Sequence, residues 1–253
     1  MTVSKRVLLL GTTGVSKQNA FDSLIAYRES VADDVSQLVY KDFERDYLKP
    51  LFNNQMPEFL DAAESHQQLR WNEGWVKLIA DCRASQDVIF LGLHGVLVRE
   101  LYGVRALAYI DRIREFAPTH IITLIDDVYL EHVATERRAG GLEYIGRPSL
   151  SQLIDARRAE LLVGDLIRRN IEAATMLNNW LLAVRHPARV LDRIVFGTER
   201  LIPIYLSFPI TGPRKMLRAG NGTGIEQVDD FLRKAADRER ANRHLGLSSS
   251  LSG

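Results

Sequence analysis

A turn rich in glycine and threonine, followed by a lysine, is the part of this sequence best suited to binding phosphate. It follows the short apolar run Val7–Leu10, and helical spacing of apolar residues begins at Phe21. In a strand–loop–helix unit the loop N–H groups and the helix N-terminus point at an anion, and a lysine adds a full positive charge. An ordinary strand-to-helix turn contains similar residues, but we favour a phosphate loop. The candidate nucleotide-binding residues are Gly11, Thr12, Thr13, Gly14, Val15, Ser16, Lys17 and Gln18.

This turn keeps part of the P-loop pattern G-x-x-x-x-G-K-[ST] and departs from the rest. Gly11 opens the pattern and Lys17 stands at the lysine position. Ser16 replaces the second glycine, and Gln18 replaces the Ser or Thr that would bind Mg²⁺. Gly14 is an additional glycine at which the backbone could close around a phosphate. The pattern therefore predicts phosphate binding more strongly than phosphate transfer.

Two adjacent carboxylates, Asp126 and Asp127, follow the apolar run His120–Ile125. A phosphate site needs a carboxylate that holds Mg²⁺ directly or through water. Asp126 and Asp127 are therefore the candidate metal ligands, and Gln18 makes that role more necessary. Alternatively, an aspartate before Val128 is a good helix N-cap. One of the two could cap the helix while the other binds the metal.

Arginines are dense in the segment that follows, and arginines on a closing lid can stabilise a transferring phosphate. Gly140 and Gly141 could act as a hinge, so we predict a lid over residues 137–158. The candidate catalytic residues are then Lys17, Arg137, Arg138 and Arg157. The alternative is a set of solvated helix faces whose arginines pair with acids such as Glu136 and Glu160. The arginines concerned are Arg137, Arg138, Arg147, Arg157, Arg158, Arg168 and Arg169.

Other residues have a functional and a structural interpretation. His94, at the end of an apolar run, could contact a substrate or position a water, although a lone histidine is more often structural. Trp71 and Trp75 share one face of a predicted helix and could stack on bases. Packing in the core is the interpretation we favour for both tryptophans.

Alternating strands and helices must position these residues. Strands are predicted at Val7–Leu10, 36–40 (or a helix start there), 87–95, 120–127 and 201–210. Helices are predicted at 19–28, 43–52, 56–84 (one or two), 101–116, 128–138, 150 to about 184 with a break near Gly164, and 225–245. Near-continuous apolar strands separated by helices predict a three-layer α/β fold with a parallel sheet of about five strands. Ligands bind at the carboxyl ends of such strands, so 11–17, 94–95 and 126–127 should meet at one edge.

Composition limits the remaining possibilities. The 253 residues are 46% hydrophobic, enough for one large α/β domain with a sizeable core. A net charge of +1 gives no overall argument for nucleic-acid or membrane binding. The single cysteine, Cys82, excludes a disulfide within the chain and is expected to pack in the core. No apolar run approaches the ~18 residues of a spanning helix, and no signal-peptide pattern is evident, so we expect a cytoplasmic protein.

The order of these motifs resembles that of the P-loop nucleoside-monophosphate kinases, and most closely the archaeal-type adenylate kinases. The similarity covers roughly residues 5–210 and rests on the Gly11–Lys17 loop, the strand ending at His94, residues 118–126 and the arginines on both sides of the lid. It implies a parallel P-loop kinase-like sheet, a helical acceptor-binding insert at residues 31–85 and the lid at 137–158. It also implies ATP and Mg²⁺ as ligands and a nucleotide or similar small molecule as phosphoryl acceptor.

Two alternatives accompany this resemblance. Because Ser16 and Gln18 depart from the family pattern, the chain could instead be a nucleotide-binding sensor or a subunit of a larger assembly, such as one in antiphage defence, with a homo-oligomer or a partner protein. The strand predicted at 201–210, followed by Gly212-Pro213-Arg214, is also faintly similar to the start of nucleoside deoxyribosyltransferase-like domains. We expect the kinase-like domain to end near residue 210. A loop and helix at 211–247 and a disordered tail at 248–253 would follow.

Overall fold

The computed structural model describes residues 5–31, 33–53, 56–85, 87–99, 103–106, 109–139, 148–171 and 177–197. The chain divides into two units, Met1–Leu201 and Ile202–Gly253, and every described residue lies in the first. The predicted strand at 201–210, the loop and helix at 211–247 and the tail at 248–253 therefore lie outside the described residues.

The described elements alternate between strands and helices. The strands are β1 (Arg6–Leu10), β2 (Leu38–Asp42), β3 (Val88–Leu93), β4 (Val96–Arg99), β5 (Gly103–Ala106), β6 (His120–Ile125) and β7 (Asn178–Ala183). The helices are α1 (Lys17–Ser30), α2 (Met56–Asp61), α3 (Glu64–Ala84), α4 (Ile110–Phe116), α5 (Val128–Ala139), α6 (Leu150–Ile171) and α7 (Ala188–Phe196). A π-helical turn (Phe43–Leu48) and a 3-10 turn (Lys49–Phe52) follow β2. The predicted helix at 43–52 therefore consists of two short turns.

Five of the strands form a parallel sheet in the order β2-β3-β1-β6-β7. Strand β1 lies at its centre, where Leu8 is paired with Leu91 of β3 and Ile121 of β6. Strand β2 pairs with β3, and β7 pairs with β6. This arrangement confirms the predicted α/β class. It also shows that the predicted insert, residues 31–85, includes one strand of the main sheet.

Both faces of the sheet are covered by apolar side chains, which alternate along β1. Leu8 and Leu10 belong to a core with side chains of α3, α4 and α6, whereas Val7 and Leu9 belong to a core with α1 and α7. All four leucine and valine side chains are fully buried. Each such burial contributes roughly 1.5–3 kcal/mol, so the middle strand is held from both sides.

Helix α3 fills the first of these cores with aromatic rings. Trp71 and Trp75 are 1% and 0% exposed, and the ring of Phe43 lies 4.8 Å from the rings of both. Aromatic pairs at this spacing stabilise a core beyond the area that they bury. The core-packing interpretation of the two tryptophans is confirmed. Cys82 is also buried and packs in this core.

The single long helix predicted from Leu150 to about Val184 is wrong. Helix α6 ends at Ile171, and residues 178–183 form β7, which hydrogen-bonds to β6 and so joins the sheet. Gly164 does not break α6. A Cβ atom there would lie 3.0 Å from Oγ1 of Thr123, so the glycine allows the helix to approach the sheet closely.

The helix predicted over 101–116 is also wrong in its first half. Residues 103–106 form β5, which pairs with β4 in a two-stranded antiparallel sheet, and of the described residues in this span only Ile110–Phe116 are helical. The apolar spacing there serves both a strand and a helix, and pairing with β4 decides between them. Helix α4 ends at Phe116, and Ala117, which caps it, has the left-handed conformation (φ 53°) just before Pro118.

Among the described helices, none combines the length and the hydropathy that a membrane-spanning helix requires.

Candidate functional site

The carboxyl ends of β1 and β3 are joined by one buried carboxylate. Oε1 of Glu160, on α6, accepts hydrogen bonds from the N–H groups of Gly11 and Gly95, both at 2.8 Å. Its Oε2 accepts from the N–H of Val96, also at 2.8 Å. The residue is only 1% exposed, and burial raises the pKa of its carboxyl group. The predicted meeting of these two strand ends is therefore confirmed, through a residue on a distant helix.

The loop after β1 forms a tight turn with one glycine in the left-handed region. The N–H of Val15 donates to the carbonyl of Thr12 at 3.1 Å. Gly14 has φ +102°, which a side chain would strain, and a Cβ atom there would lie 3.0 Å from the carbonyl oxygen of Glu131. Within the described part of the chain, no acceptor is hydrogen-bonded to the N–H of Thr13, Gly14 or Ser16. Backbone amides left without acceptors in a turn are groups that could bind an anion.

Helix α1 begins at the end of this loop and directs its positive end toward it. Oγ of Ser16 caps the helix by accepting from the N–H of Asn19 at 3.2 Å, and Lys17 is the first helical residue. Lys17 is 5% exposed, and its charge acts to lower the pKa of both Glu44 and Glu160. A buried ammonium group and a helix N-terminus therefore stand beside the unpaired amides.

Gln18, which replaces the expected hydroxyl residue, is held by side chains. Its Nε2 donates to Oδ1 of Asp22 at 2.8 Å. Its Oε1 accepts from Nη1 of Arg45 at 3.3 Å, which links the start of α1 to the turn after β2. The side-chain amide is thus part of a polar chain across the outside of the site.

A second buried carboxylate, Glu131 of α5, holds the other side of the loop. Its Oε2 accepts from Oγ1 of Thr12 at 3.1 Å. Its Oε1 accepts from Nη2 of Arg157 at 2.7 Å and from the N–H of Asp126 at 3.2 Å. Nη2 of Arg157 also donates to the carbonyl of Asp126 at 2.5 Å. Glu131, at 1% exposure, thus connects the loop, the end of β6 and helix α6.

The two predicted metal ligands occupy different environments. Oδ1 of Asp127 accepts from the N–H of Tyr129 at 2.8 Å and so caps α5. Oδ1 of Asp126 accepts from the N–H of Asp127 at 2.8 Å and lies 3.3 Å from Nε of Arg185. Its Oδ2 accepts no hydrogen bond from the described residues, although the carboxylate as a whole is ion-paired with Arg185. Those residues contain no group of three or more metal-binding side chains, but Mg²⁺ in phosphate sites often needs only one or two.

The predicted arginines do not form one cluster in the described region. Arg157 pairs with the fully buried carboxylate of Glu131, and its own side chain is 23% exposed. Three others, Arg158, Arg168 and Arg169, pair with aspartates of the same helix. Arg137 and Arg138 lie in α5, but their side chains and the whole of residues 140–147, including Arg147, lie outside what is described. The side chain of Glu136, one predicted acidic partner of these arginines, also lies outside the described residues. Glu160, the other predicted partner, accepts hydrogen bonds from backbone amides instead.

An acid–base pair lies beside Lys17. Nδ1 of His94, at the end of β3, is in hydrogen-bond contact with Oε1 of Glu44, on the turn after β2. The side chains are only 16% and 12% exposed. Burial acts to raise the pKa of Glu44, but His94, Lys17 and Lys49 outweigh it, and the net effect is a lowered pKa.

Sequence reasoning missed the three acids that organise this edge, Glu44, Glu131 and Glu160. Glu131 lies in the first turn of α5, directly after the aspartate pair, and that position was a usable signal. Glu160 was considered only as a partner for an arginine. Glu44 follows β2 on an irregular turn and carries no recognisable spacing. All three act on residues distant in sequence.

No protein-family model matches this chain, and no curated protein matches its sequence. Several solved structures are similar. A structure of the PezAT chromosomal toxin–antitoxin system of Streptococcus pneumoniae is 11% identical, with a TM-score of 0.41, covering 92% of this chain and 88% of that one. Shikimate kinase from Aquifex aeolicus is 12% identical, with a TM-score of 0.37, covering 76% and 99%.

A GTPase from Pyrococcus abyssi, in its apo form, is 12% identical, with a TM-score of 0.36, covering 76% of this chain and 96% of that one. Because all three TM-scores are below 0.5, these similarities do not indicate which residues bind a ligand or what they do. Functional inference for this protein therefore depends on the geometry of its own residues.

Proposed function

We propose that this protein binds a nucleoside triphosphate, with ATP as the first candidate, through a P-loop formed by Gly11–Gln18. One observation carries the proposal. The N–H groups of Thr13, Gly14 and Ser16 lack acceptors in the described structure, at the carboxyl end of the central strand and beside Lys17 and the N-terminus of α1. Backbone amides, a helix dipole and a lysine charge directed to one place are suited to a polyphosphate.

Mg²⁺ fits this site through Asp126 better than through Asp127. Asp126 directly follows β6, the strand next to β1, and its Oδ2 accepts no hydrogen bond from the described residues, whereas Asp127 caps α5. A carboxylate at this position would hold the ion together with phosphate oxygens and water. The ion would offset the negative charge of the phosphates.

The activity that we propose is phosphoryl transfer to a small acceptor, of the kind carried out by nucleotide kinases. The lid at 137–158 would supply Arg137 and Arg138, and Arg157 would connect it to the loop through Glu131. Closure of such a segment would exclude water from the transferring phosphate. An enzyme of the archaeal adenylate kinase type is one specific form of this activity, and its acceptor group would be a phosphate.

A second candidate is a sensor or assembly subunit that binds a nucleotide without transferring its phosphate. The observations that favour it are the positions of Ser16 and Gln18. Ser16 uses its hydroxyl to cap α1, and the Gln18 amide bonds to Asp22 and Arg45. Neither side chain supplies the metal-binding hydroxyl of an active P-loop. A partner protein or a second copy of the chain would then complete the function.

Titration calorimetry with ATP and GTP, with and without Mg²⁺, tests nucleotide binding. We expect Lys17→Met to weaken binding at least tenfold, about 1.4 kcal/mol. Lys77→Met, on the exposed side of α3, is the matched control and should bind as the wild type does. Circular dichroism establishes that both variants fold. Equal affinity in the wild type and in folded Lys17→Met would contradict the phosphate-loop proposal.

Transfer of labelled phosphate from ATP to a panel of nucleosides and nucleoside monophosphates, with hydrogen exchange over the predicted lid at 137–158, separates the two candidates. A kinase should transfer phosphate, and the part of its lid that precedes α6 should gain protection only when ATP and acceptor are both present. Residues 150–158 belong to α6, where Leu153 and Ala156 are buried, and should be protected in every state. Tight ATP binding with neither transfer nor hydrolysis would favour the sensor.

A further inference from the structure

The pair formed by Glu44 and His94 lies at the carboxyl ends of β2 and β3, and β3 is paired with β1, the strand that leads into the phosphate loop. The turn that carries Glu44 is linked to the start of α1 through Arg45 and Gln18. His94 is followed directly by Gly95, whose N–H shares the Glu160 carboxylate with Gly11, the first loop residue. His94 and the loop are thus fixed to one another through a single oxygen atom.

This pair has the chemical arrangement of an oriented base. The carboxylate of Glu44 contacts Nδ1 of His94, which favours the tautomer with the proton on Nδ1 and leaves the Nε2 lone pair as an acceptor. Nε2 is without a hydrogen-bond partner in the described structure. A carboxylate that orients an imidazole in this way also stabilises the imidazolium that forms when Nε2 takes up a proton.

Acidic and basic groups face His94 from several elements. Glu44 approaches from the turn after β2 and Glu160 from α6, and Lys17, at the start of α1, acts on both acids. Lys49, on the 3-10 turn, acts on Glu44 as well.

We propose that His94 is the general base that accepts a proton from the phosphoryl acceptor, that Glu44 positions it, and that the acceptor group is therefore a hydroxyl. The inference rests on the proposed function. An acceptor phosphate is already ionised at neutral pH and needs no base, whereas a hydroxyl must lose its proton during transfer. The hydroxyl oxygen forms a bond to the γ-phosphorus of ATP as the bond to the bridging oxygen breaks. ADP leaves, and the proton goes to Nε2 of His94.

The test compares acceptors that differ only in the reacting group. Nucleosides offer a hydroxyl, the corresponding nucleoside monophosphates offer a phosphate, and water is the smallest hydroxyl acceptor, measured as phosphate release from ATP. We expect transfer to nucleosides or water to exceed transfer to monophosphates and to rise with pH through the neutral range. His94→Asn should lower the rate at least a hundredfold and remove the pH dependence. His66→Asn, at an exposed position of α3, is the matched control.

Glu44 is tested by readouts that a purely structural role would not change. Glu44→Asp should retain most of the activity, whereas Glu44→Ala should lose it and shift the pH profile. In NMR spectra, the wild type should show a downfield imidazole proton that Glu44→Ala lacks. ATP affinity, measured on the same samples, should change less than threefold in every variant.

Four results would overturn the assignment of His94 while leaving nucleotide binding intact. They are preferred transfer to monophosphates, a rate that does not depend on pH, an unchanged rate in His94→Asn, and ATP binding without any transfer or hydrolysis. Absence of ATP binding in the wild type would instead overturn the proposed function, and the base with it.

Discussion

Nη2 of Arg157 lies 2.7 Å from Oε1 of Glu131, and the Glu131 carboxylate is fully buried. The other oxygen of that carboxylate holds Oγ1 of Thr12 in the phosphate loop. An arginine at the C-terminal border of the predicted lid is thereby connected to the loop through one acid. Movement of α6 and the shape of the loop are coupled by this contact, since neither can change without exposing or unpairing a buried charge.

Replacement of Arg157 by alanine should destabilise the fold strongly. It leaves the buried carboxylate of Glu131 without its charge partner, and breaking such a pair costs about 3 kcal/mol. Arg158→Ala, one residue further on, is the matched control because its pair with Asp155 is exposed and should contribute less than about 1 kcal/mol. Urea unfolding of both variants measures the difference, and equal losses would show that the Arg157 pair is not structural.

Glu160→Gln should loosen the junction of β1 and β3. A carboxylate accepts from all three amides of Gly11, Gly95 and Val96, whereas a glutamine must place its own NH₂ group against at least one of them. We expect a loss of about 2 kcal/mol in unfolding free energy and weaker nucleotide binding. Asp165→Asn, on the solvent-facing part of the same helix, should cost much less, and a similar loss there would argue against this role.

The same residue predicts a pH dependence of stability. Burial raises the pKa of Glu160 in the folded state above the ordinary value of 4.5. The folded state then holds a proton that the unfolded state has released, so this contribution to stability falls as pH rises above 4.5. The stability of wild type relative to Glu160→Gln should therefore decrease with rising pH over that range. Parallel unfolding curves for the two proteins from pH 4 to 8 would contradict it.

The two aspartates after β6 should respond differently to substitution. Asp126→Asn should reduce about tenfold the gain in ATP affinity that Mg²⁺ gives to the wild type. The substitution removes a carboxylate whose Oδ2 accepts no hydrogen bond from the described residues. Asp127→Asn should have little effect because asparagine is an equally good helix cap. Calorimetric titration of ATP over a range of Mg²⁺ concentrations distinguishes them. If ATP binding to the wild type is independent of Mg²⁺, then Asp126 and Asp127 have structural roles only.

The local apolar pattern was sufficient to predict those strands whose apolar run has the length of a buried strand. The bounds of strands β1, β3 and β6 were predicted within two residues. Their meeting at one edge followed from the direction of parallel strands. The lysine at the start of α1 was predicted for the same reason, because a strand, a short loop and a helix are contiguous in sequence.

Tertiary structure alone decided the rest. The segments 103–106 and 178–183 are apolar enough for either a helix or a strand, and their pairing with β4 and β6 made them strands. Glu131 and Glu160 reach the phosphate loop across 119 and 149 residues of chain, and no spacing in the sequence encodes such a distance. The sequence by itself predicts where phosphate could bind. Only the packing of α5 and α6 against the sheet determined which buried acids hold that loop, because an unpaired buried amide or carboxylate is too costly to leave unsatisfied.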